Sequence, residues 1–193
     1  MREYEDNLKD KFKYICGVDE AGRGPLCAEV VAAAVVVNDI EILGINDSKK
    51  LSPKKREELY EKIINSYDYG IGIASIEEIE KYNILGATKI AMIRAINNLK
   101  NVDYVLIDGN QNLDIDIPSK TIVSGDSKSI SIAAASIIAK VTRDRMMVEY
   151  DKIYPEYNFK KHKGYGTAEH ILNIKKYGVC PIHRLSFLKN IIK

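Results

Sequence analysis

Residues 14–25, Tyr14-Ile15-Cys16-Gly17-Val18-Asp19-Glu20-Ala21-Gly22-Arg23-Gly24-Pro25, join an apolar run to two adjacent carboxylates and an arginine between glycines. The apolar run predicts a buried strand that ends in acids. A carboxylate pair can hold a divalent cation, although an isolated Asp-Glu dipeptide is more often a solvated turn. Glycines on both sides of Arg23 leave the backbone open to close approach by a substrate. This strand end is therefore a candidate site where metal and ligand meet.

The same arrangement of an acid at the end of an element recurs twice. Asp108 closes the apolar run of residues 102–107, and Asp126 precedes a long helical pattern in Ser124-Gly125-Asp126-Ser127-Lys128. In an open α/β sheet, ligands bind where strand ends and helix N-termini converge. We therefore expect Asp19, Glu20, Asp108 and Asp126 to share one site.

The order of apolar patterns predicts an α/β fold, with strands first and helices closing the chain. A nearly unbroken Val/Ala run at 28–37 is typical of a strand covered on both faces. Ser-Pro at 52–53, the capping-box spacing at 75–78 and Thr167 each predict a helix start. The predicted strands cover residues 14–19, 28–37, 69–74, 102–108 and about 121–123, and the predicted helices begin near residues 52, 75, 129 and 167, with a last one around 187–191.

Composition and charge narrow the class of protein. The chain has 193 residues and is 46% hydrophobic, which suits one compact domain. Residues 151–193 carry nine Lys or Arg against three acids, and residues 1–150 carry 20 against 24. A basic segment beside an acidic, cation-holding site suits a polyanionic substrate, whereas without the motifs a solvated lysine-rich surface would be the simpler interpretation.

The cysteines and the termini indicate a compartment. Three cysteines without C-x-x-C spacing predict neither a disulfide framework nor a zinc site, which favours reducing conditions. The charged start, Met1-Arg2-Glu3-Tyr4-Glu5-Asp6, does not resemble a signal peptide, and the apolar run at 30–37 is too short to span a bilayer. We expect a soluble, cytoplasmic monomer without a membrane partner.

Together these segments resemble type 2 ribonuclease H, or ribonuclease HII, over nearly the whole chain. The resemblance rests on specific blocks in the family's order, from residue 17 to residue 187. They are Gly17–Leu26, Asp47-Ser48-Lys49-Lys50-Leu51, Ile107-Asp108-Gly109-Asn110, Gly125-Asp126 followed by residues 131–144, Lys163-Gly164-Tyr165-Gly166-Thr167 with His170, and Pro181-Ile182-His183-Arg184-Leu185-Ser186-Phe187. No functional position departs from the family's pattern.

The resemblance implies a ribonuclease H-like fold, in which a five-stranded mixed sheet is flanked by helices and followed by a small helical C-terminal part. We expect residues 1–150 to form the catalytic core and residues 151–193 a basic helical segment packed on it, as one domain overall. The implied activity is endonucleolytic cleavage of the RNA strand of RNA/DNA hybrids, and cutting 5′ of ribonucleotides embedded in duplex DNA. The products would carry 3′-hydroxyl and 5′-phosphate ends, and the role would be removal of ribonucleotides and RNA primers.

The resemblance also assigns residues. Asp19, Glu20, Asp108 and Asp126 would be the catalytic acids that coordinate two Mg²⁺ or Mn²⁺ ions, which together can activate a water and stabilise the phosphate. The backbone of Gly22-Arg23-Gly24 would read the 2′-hydroxyl, and the Tyr165 ring would pack on the neighbouring sugar. Ser48 and Lys49 are weaker candidates for phosphate contacts.

Other interpretations compete with these assignments. Tyr165 could be an ordinary half-exposed tyrosine, and Asp144 is most simply a salt-bridged helix acid. His183 and Arg184 could brace the tail against the core, and for His162 and His170 a packing or surface role is favoured over general-base work.

Three other classes of protein share some of these sequence features. Ribonuclease HIII performs the same class of reaction, but it has an additional N-terminal domain and a lysine in place of Arg23. A non-catalytic hybrid-binding module would need only the basic tail and Tyr165, not four acids. A phosphatase or nucleotidyl enzyme of another α/β fold would also use strand-end acids, but the chain has no Gly-x-x-x-x-Gly-Lys loop and no nucleophile motif.

Overall fold

A computed structural model describes residues 1–192 of the chain. The described part forms an α/β protein in which one sheet carries helices on both faces. Its strands are β1 (Ile15–Ala21), β2 (Val30–Val36), β3 (Asp68–Ala74), β4 (Tyr104–Asp108) and β5 (Ser119–Ile122). Its helices are α1 (Glu3–Leu8), α2 (Pro53–Ser66), α3 (Ile76–Asn97), α4 (Ile130–Ile153), α5 (Phe159–His162), α6 (Ala168–Tyr177) and α7 (Leu185–Leu188).

The sheet is mixed, with the strand order β3-β2-β1-β4-β5. β2 is antiparallel to both β1 and β3, whereas β1, β4 and β5 run parallel. This confirms the expected five-stranded mixed sheet flanked by helices. β1 is the central strand, and its acids lie near its C-terminal end, so they are at the middle of the row of strand ends.

Two apolar layers cover the sheet. On one face α3 packs against side chains such as Val18, Val30 and Ile107. On the other face α2 and α4 pack against residues such as Ala33 and Val35. At Gly17 a Cβ atom would overlap the backbone nitrogen of Ile132, so the glycine lets α4 lie directly on β1. Because α4 follows Asp126 in the chain, this close packing fixes the position of that acid relative to β1.

Local signals predicted the helix starts well. The Ser52, Ser75 and Thr167 side chains each accept a hydrogen bond from the first turn of α2, α3 and α6, and Ser75 forms a complete capping box with Glu78. The structure differs from the prediction at several helices, and α1 and α5 were not predicted at all. Within α3, Asn83 has φ 59°, which kinks the helix, and the last helix, α7, has only four residues.

The C-terminal helices pack on the core through their own apolar cluster. Tyr157, Phe159 and Leu188 contact Cys27 and Met147 there, and all five are buried. α4 runs to Ile153 and so crosses residue 150, where the catalytic core was expected to end. The division into a core of residues 1–150 and a segment of residues 151–193 stays a prediction. None of the helices described within residues 1–192 has the length and apolar character needed to cross a bilayer.

Candidate active site

The register of the two central parallel strands brings the first acids together. Val18 of β1 lies beside Ile107 of β4, so the next residues, Asp19 and Asp108, follow at the same level. Residues at one level of neighbouring parallel strands point to the same face of the sheet. The sequence prediction that these strand ends meet is therefore confirmed in the backbone.

The turn before α4 brings the acid at position 126 to the same place. Asp108 Oδ1 accepts a hydrogen bond of 2.6 Å from the backbone N–H of Gly125, the residue before Asp126. Lys49 Nζ lies 3.8 Å from Asp126 Oδ2 on the other side. The acid of the helix start is thus connected both to β4 and to the loop that carries Lys49.

Burial and mutual repulsion change the protonation of these carboxyls. Burial raises the pKa of Asp19 well above its ordinary value, and the charges of Glu20, Asp108 and Asp126 raise it further. Burial likewise raises the pKa of Asp126, with Asp108 and Asp47 adding to the effect. The pKa of Glu20 is raised by burial although Arg23, whose Nη1 lies 3.3 Å from Glu20 Oε1, opposes it. The carboxylates are close enough to repel one another, and the nearby positive charges do not fully offset this repulsion.

Lys49 lies near the same group of acids and responds to their charges. Burial alone would lower the pKa of its ammonium, but attraction to Asp126, Asp19, Asp47 and Asp108 outweighs burial and raises it. Its side chain is largely exposed, at 84% of its surface, so it partly neutralises the site without closing it.

The donor set fits hard divalent cations. Carboxylate oxygens are the ligands that Mg²⁺ and Mn²⁺ take, and buried carboxylates with raised pKa values gain from a nearby cation. Within residues 1–192, no three His, Cys, Asp or Glu side chains are already arranged to hold an ion as they stand. Each carboxylate instead has a partner of its own: the Glu20 N–H for Asp19, Arg23 for Glu20, the Gly125 N–H for Asp108 and Lys49 for Asp126.

Two buried arginines hold the loop that follows β1. Arg184 donates hydrogen bonds to the carbonyl oxygens of Gly22, Arg23 and Pro25, and continues to those of residues 28 and 29. Arg143 donates to the carbonyl oxygens of residues 27, 29 and 163. Because the carbonyls of this loop face inward onto guanidinium groups, its conformation is fixed beside the acids. The expectation that Arg184 braces the tail against the core is confirmed.

Burial of these guanidinium groups has an electrostatic consequence. Arg184 is fully buried, and this lowers its pKa to about 10, far enough above neutrality for the group to stay charged.

Gly22 has φ 103°, and a Cβ atom there would overlap the Arg143 side chain, so glycine is required at this position. A Cβ at Gly24 would make only an ordinary contact, 3.5 Å from the Tyr165 ring, so no steric need for glycine arises there.

One cleft of about 200 Å³ contains most of the predicted site. It is lined by eight of the ten predicted residues: Asp19, Glu20, Gly22, Arg23, Gly24, Ser48, Lys49 and Tyr165. Asp108 and Asp126 are not part of this lining, but their negative charges raise the pKa of Asp19, which is part of it. A larger cleft of about 600 Å³ lies near Arg2 and Tyr14 and contains none of the predicted residues.

Some residues of the site were missed or ranked low from the sequence. Asp47 faces Asp126, and its side chain also accepts a hydrogen bond of 2.9 Å from the Lys49 N–H. Ser136, Lys140 and Arg143 line the cleft from α4. They sit at helical spacing, 136, 140 and 143, so the periodicity of α4 was the signal that could have placed them on one face. Asp144 pairs with Lys140 at 2.6 Å, which confirms its interpretation as a salt-bridged acid.

Comparison with known proteins identifies a family that this chain matches. The sequence model of the family described as Ribonuclease HII matches residues 16–190. A ribonuclease HII of Clostridioides difficile (strain 630) is 60% identical over 193 residues, which covers 98% of this chain and 76% of that protein.

Solved structures with a similar fold include the ribonuclease H2 of Pyrococcus horikoshii OT3, with a TM-score of 0.76 at 28% identity, covering 92% of this chain and 96% of that one. The ribonuclease HII of Archaeoglobus fulgidus, solved in complex with PCNA, has a TM-score of 0.79 at 25% identity, with 93% and 97% covered.

Proposed function

The chain belongs to the ribonuclease HII family and is an endoribonuclease of the ribonuclease H class, and from this premise we propose that it nicks duplex DNA on the 5′ side of embedded ribonucleotides. It also hydrolyses the RNA strand of RNA/DNA hybrids. Both reactions leave 3′-hydroxyl and 5′-phosphate ends. The enzyme acts as a cytoplasmic monomer in ribonucleotide removal and RNA primer removal.

One observation carries the proposal: four acids from three segments of the chain, Asp19 and Glu20, Asp108, and Asp126, converge beside the loop of Gly22-Arg23-Gly24. A binding module would gain nothing from burying these acids together, because their repulsion costs stability. Such a cluster is useful where cations and a phosphate must be held in place. The geometry thus favours an enzyme over a module that only binds hybrids.

The four acids would hold two Mg²⁺ or Mn²⁺ ions, and the donor set supports that choice because all the side-chain ligands are oxygen atoms. Ions held by these acids would supply activation of a water and stabilisation of the charge that develops on the scissile phosphate. The residues of the chain supply the rest. Lys49, at the rim of the cleft, attracts the phosphate backbone. The acids orient the groups that bind between β1, β4 and the start of α4.

Recognition of RNA needs groups other than the acids, because only the 2′-hydroxyl distinguishes RNA from DNA. The Gly22 and Arg23 carbonyls of this loop accept hydrogen bonds from Arg184, which supports a role in which the N–H groups of the loop contact the substrate. Tyr165 is 47% exposed, and its ring lies against Gly24 at the same cleft. Loop and ring are thus adjacent, as reading a ribose and the following sugar requires.

The basic residues of the C-terminal segment extend the cleft. Lys160, Lys161 and Lys163 line a neighbouring groove of about 580 Å³ that shares Lys140 with the candidate site. A duplex lying across the acids would place a phosphate backbone near this groove, and lysine side chains lower the free energy of such an arrangement. This supports nucleic acid as the partner.

The test is incubation with a labelled DNA duplex that contains one ribonucleotide, with Mg²⁺ or Mn²⁺, for the wild type and Asp19→Asn. We expect a single nick 5′ of the ribonucleotide, with a 3′-hydroxyl that a polymerase extends, and no nick with the variant. A duplex of the same sequence without the ribonucleotide is the control. Binding of the duplex without cleavage under any divalent ion would support the binding module instead.

A further inference from the structure

A chain of hydrogen bonds between two buried histidines ends on the backbone of Tyr165. The Cys180 N–H lies 2.9 Å from His183 Nδ1, His183 Nε2 lies 3.1 Å from His170 Nε2, and His170 Nδ1 lies 3.0 Å from the Tyr165 carbonyl oxygen. His170 and His183 are 0% and 3% exposed. No role in the proposed reaction uses either ring.

The first hydrogen bond, from the Cys180 N–H to His183 Nδ1, determines which group donates in each of the others. A backbone N–H can only donate, so His183 Nδ1 accepts and its proton lies on Nε2. His183 Nε2–H then donates to His170 Nε2, which places the His170 proton on Nδ1. His170 Nδ1–H in turn donates to the Tyr165 carbonyl. Each ring is therefore neutral in one defined tautomer, because a second proton on His170 would set two N–H groups against each other at 3.1 Å.

Surrounding groups lock the rings in place. The His162 ring stacks on His170 with centroids 4.4 Å apart, and Phe159 contacts both rings of the pair edge-on or tilted. His162 itself accepts from the Gly164 N–H through Nδ1 and so donates through Nε2 to the Tyr157 carbonyl. The other titratable groups that face the pair are Tyr157, whose ring lies 5.0 Å from that of His183, and Cys180, whose Sγ lies 3.1 Å from His183 Nδ1.

Tyr165 depends on this cluster for its backbone position. Its N–H donates to the His162 carbonyl at 3.0 Å, and its carbonyl accepts from both the Thr167 N–H and His170. The next residue after His183, Arg184, holds the Gly22-Arg23-Gly24 loop. Tyr165 and the Gly22-Arg23-Gly24 loop, which together form the proposed surface for contacting the ribonucleotide, are therefore connected to the adjacent residues His183 and Arg184.

We propose that His170 is a positioning residue that sets the Tyr165 ring against the substrate by donating to the Tyr165 carbonyl, and that the hydrogen-bond chain from Cys180 through His183 keeps the donating proton of His170 on Nδ1. This inference rests on the proposed function, since it concerns the residue that packs on the sugar beside a ribonucleotide. Release of the Tyr165 carbonyl lets the ring move, and cleavage at a lone ribonucleotide falls. Cleavage within a long RNA/DNA hybrid changes little, because recognition of an RNA-to-DNA junction is not required there.

Two amides at position 170 separate the two contacts. The Asn amide occupies the place of Nδ1, so His170→Asn keeps a donor to the Tyr165 carbonyl. The Gln amide occupies the place of Nε2, so His170→Gln keeps an acceptor for His183 and loses the contact to Tyr165. Steady-state rates are measured for each variant below its melting temperature. They give the ratio of kcat/KM on a duplex with one ribonucleotide to kcat/KM on an RNA/DNA hybrid.

We expect His170→Gln to lower this ratio about tenfold, less than the hundredfold that a 1 Å displacement can cost, and His170→Asn to leave it within about threefold of the wild type. Equal ratios for the two variants would overturn the proposal, as would an unchanged ratio for His170→Gln.

A second readout is independent of activity. Nuclear magnetic resonance of the ¹⁵N-labelled histidine rings at neutral pH should find the proton of His170 on Nδ1 and that of His183 on Nε2. The opposite tautomer at His170 would refute the hydrogen-bond chain directly. If the wild type failed to cut either substrate, the proposed function would fail, and the tautomers would still decide whether the chain of hydrogen bonds exists.

Discussion

Acidification should destabilise this protein through its buried histidines. Burial lowers the pKa of His170 and His183 to about 4, from an ordinary value of 6.5. Because the folded pKa values are the lower ones, the unfolded chain binds more protons at any pH between about 4 and 6.5. The free energy of unfolding contributed by these rings therefore falls as the pH is lowered through this window.

The size of the effect follows from the two pKa values. One pKa unit corresponds to about 1.4 kcal/mol, and between pH 7 and pH 5 one ring with this shift costs about 2 kcal/mol. The two rings together would cost about 4 kcal/mol. The raised pKa values of Asp19, Glu20 and Asp126 act in the opposite direction, since those carboxyls destabilise the fold in their charged form.

A variant separates the histidine contribution from that of the acids. Urea unfolding followed by circular dichroism at pH 7, 6 and 5, without divalent ions, should be measured for the wild type and His170→Asn. Between pH 7 and pH 5 we expect the wild type to lose about 2 kcal/mol more than the variant, because the variant has no ring to protonate at that position. If the difference between the two proteins were the same at all three pH values, the assignment of a buried neutral ring would be refuted.

Three further predictions concern the acids and the reading surface. Mg²⁺ should raise the melting temperature of the wild type, because bound cations relieve repulsion among the acids; an unchanged midpoint would count against the metal site. Asp19→Asn should be more stable than the wild type without ions and inactive with them, since it removes a buried carboxylate; differential scanning calorimetry showing a lower midpoint would contradict this. Tyr165→Ala should reduce kcat/KM at a lone ribonucleotide about tenfold or more, whereas Tyr165→Phe should retain most of it; equal losses would exclude a packing role for the ring.

Much of the fold was predictable because its signals are local. The side chains of Ser52, Ser75 and Thr167 cap helices by bonding within one turn, so their spacing alone predicts the helix starts. The apolar runs of β1 and β4 predicted buried strands that end in acids. The kink at Asn83 was not predicted, although Asn is a common N-cap residue, and here its side chain accepts hydrogen bonds from the Leu85 and Gly86 N–H groups.

The site was only partly predictable because its support comes from distant residues. Arg184 lies 162 positions from Gly22, and its role depends on which carbonyls the folded chain turns inward. The sequence indicated only a packing or surface role for His170 and a bracing role for His183, because neither residue lies at the spacing of a metal-ligand pair. Asp47 was read only as part of a motif, since its proximity to Asp126 depends on how the loop before α2 folds over the cleft.

The central claim is that Asp19, Glu20, Asp108 and Asp126 together hold paired divalent ions against the scissile phosphate. Anomalous scattering from crystals grown with Mn²⁺ and a non-cleavable duplex containing one ribonucleotide tests it most directly. The account predicts two peaks about 4 Å apart, ligated by oxygens of these carboxylates and of the phosphate 5′ of the ribonucleotide. Peaks elsewhere in the protein, or none beside Asp19 while the duplex occupies the cleft, would contradict it.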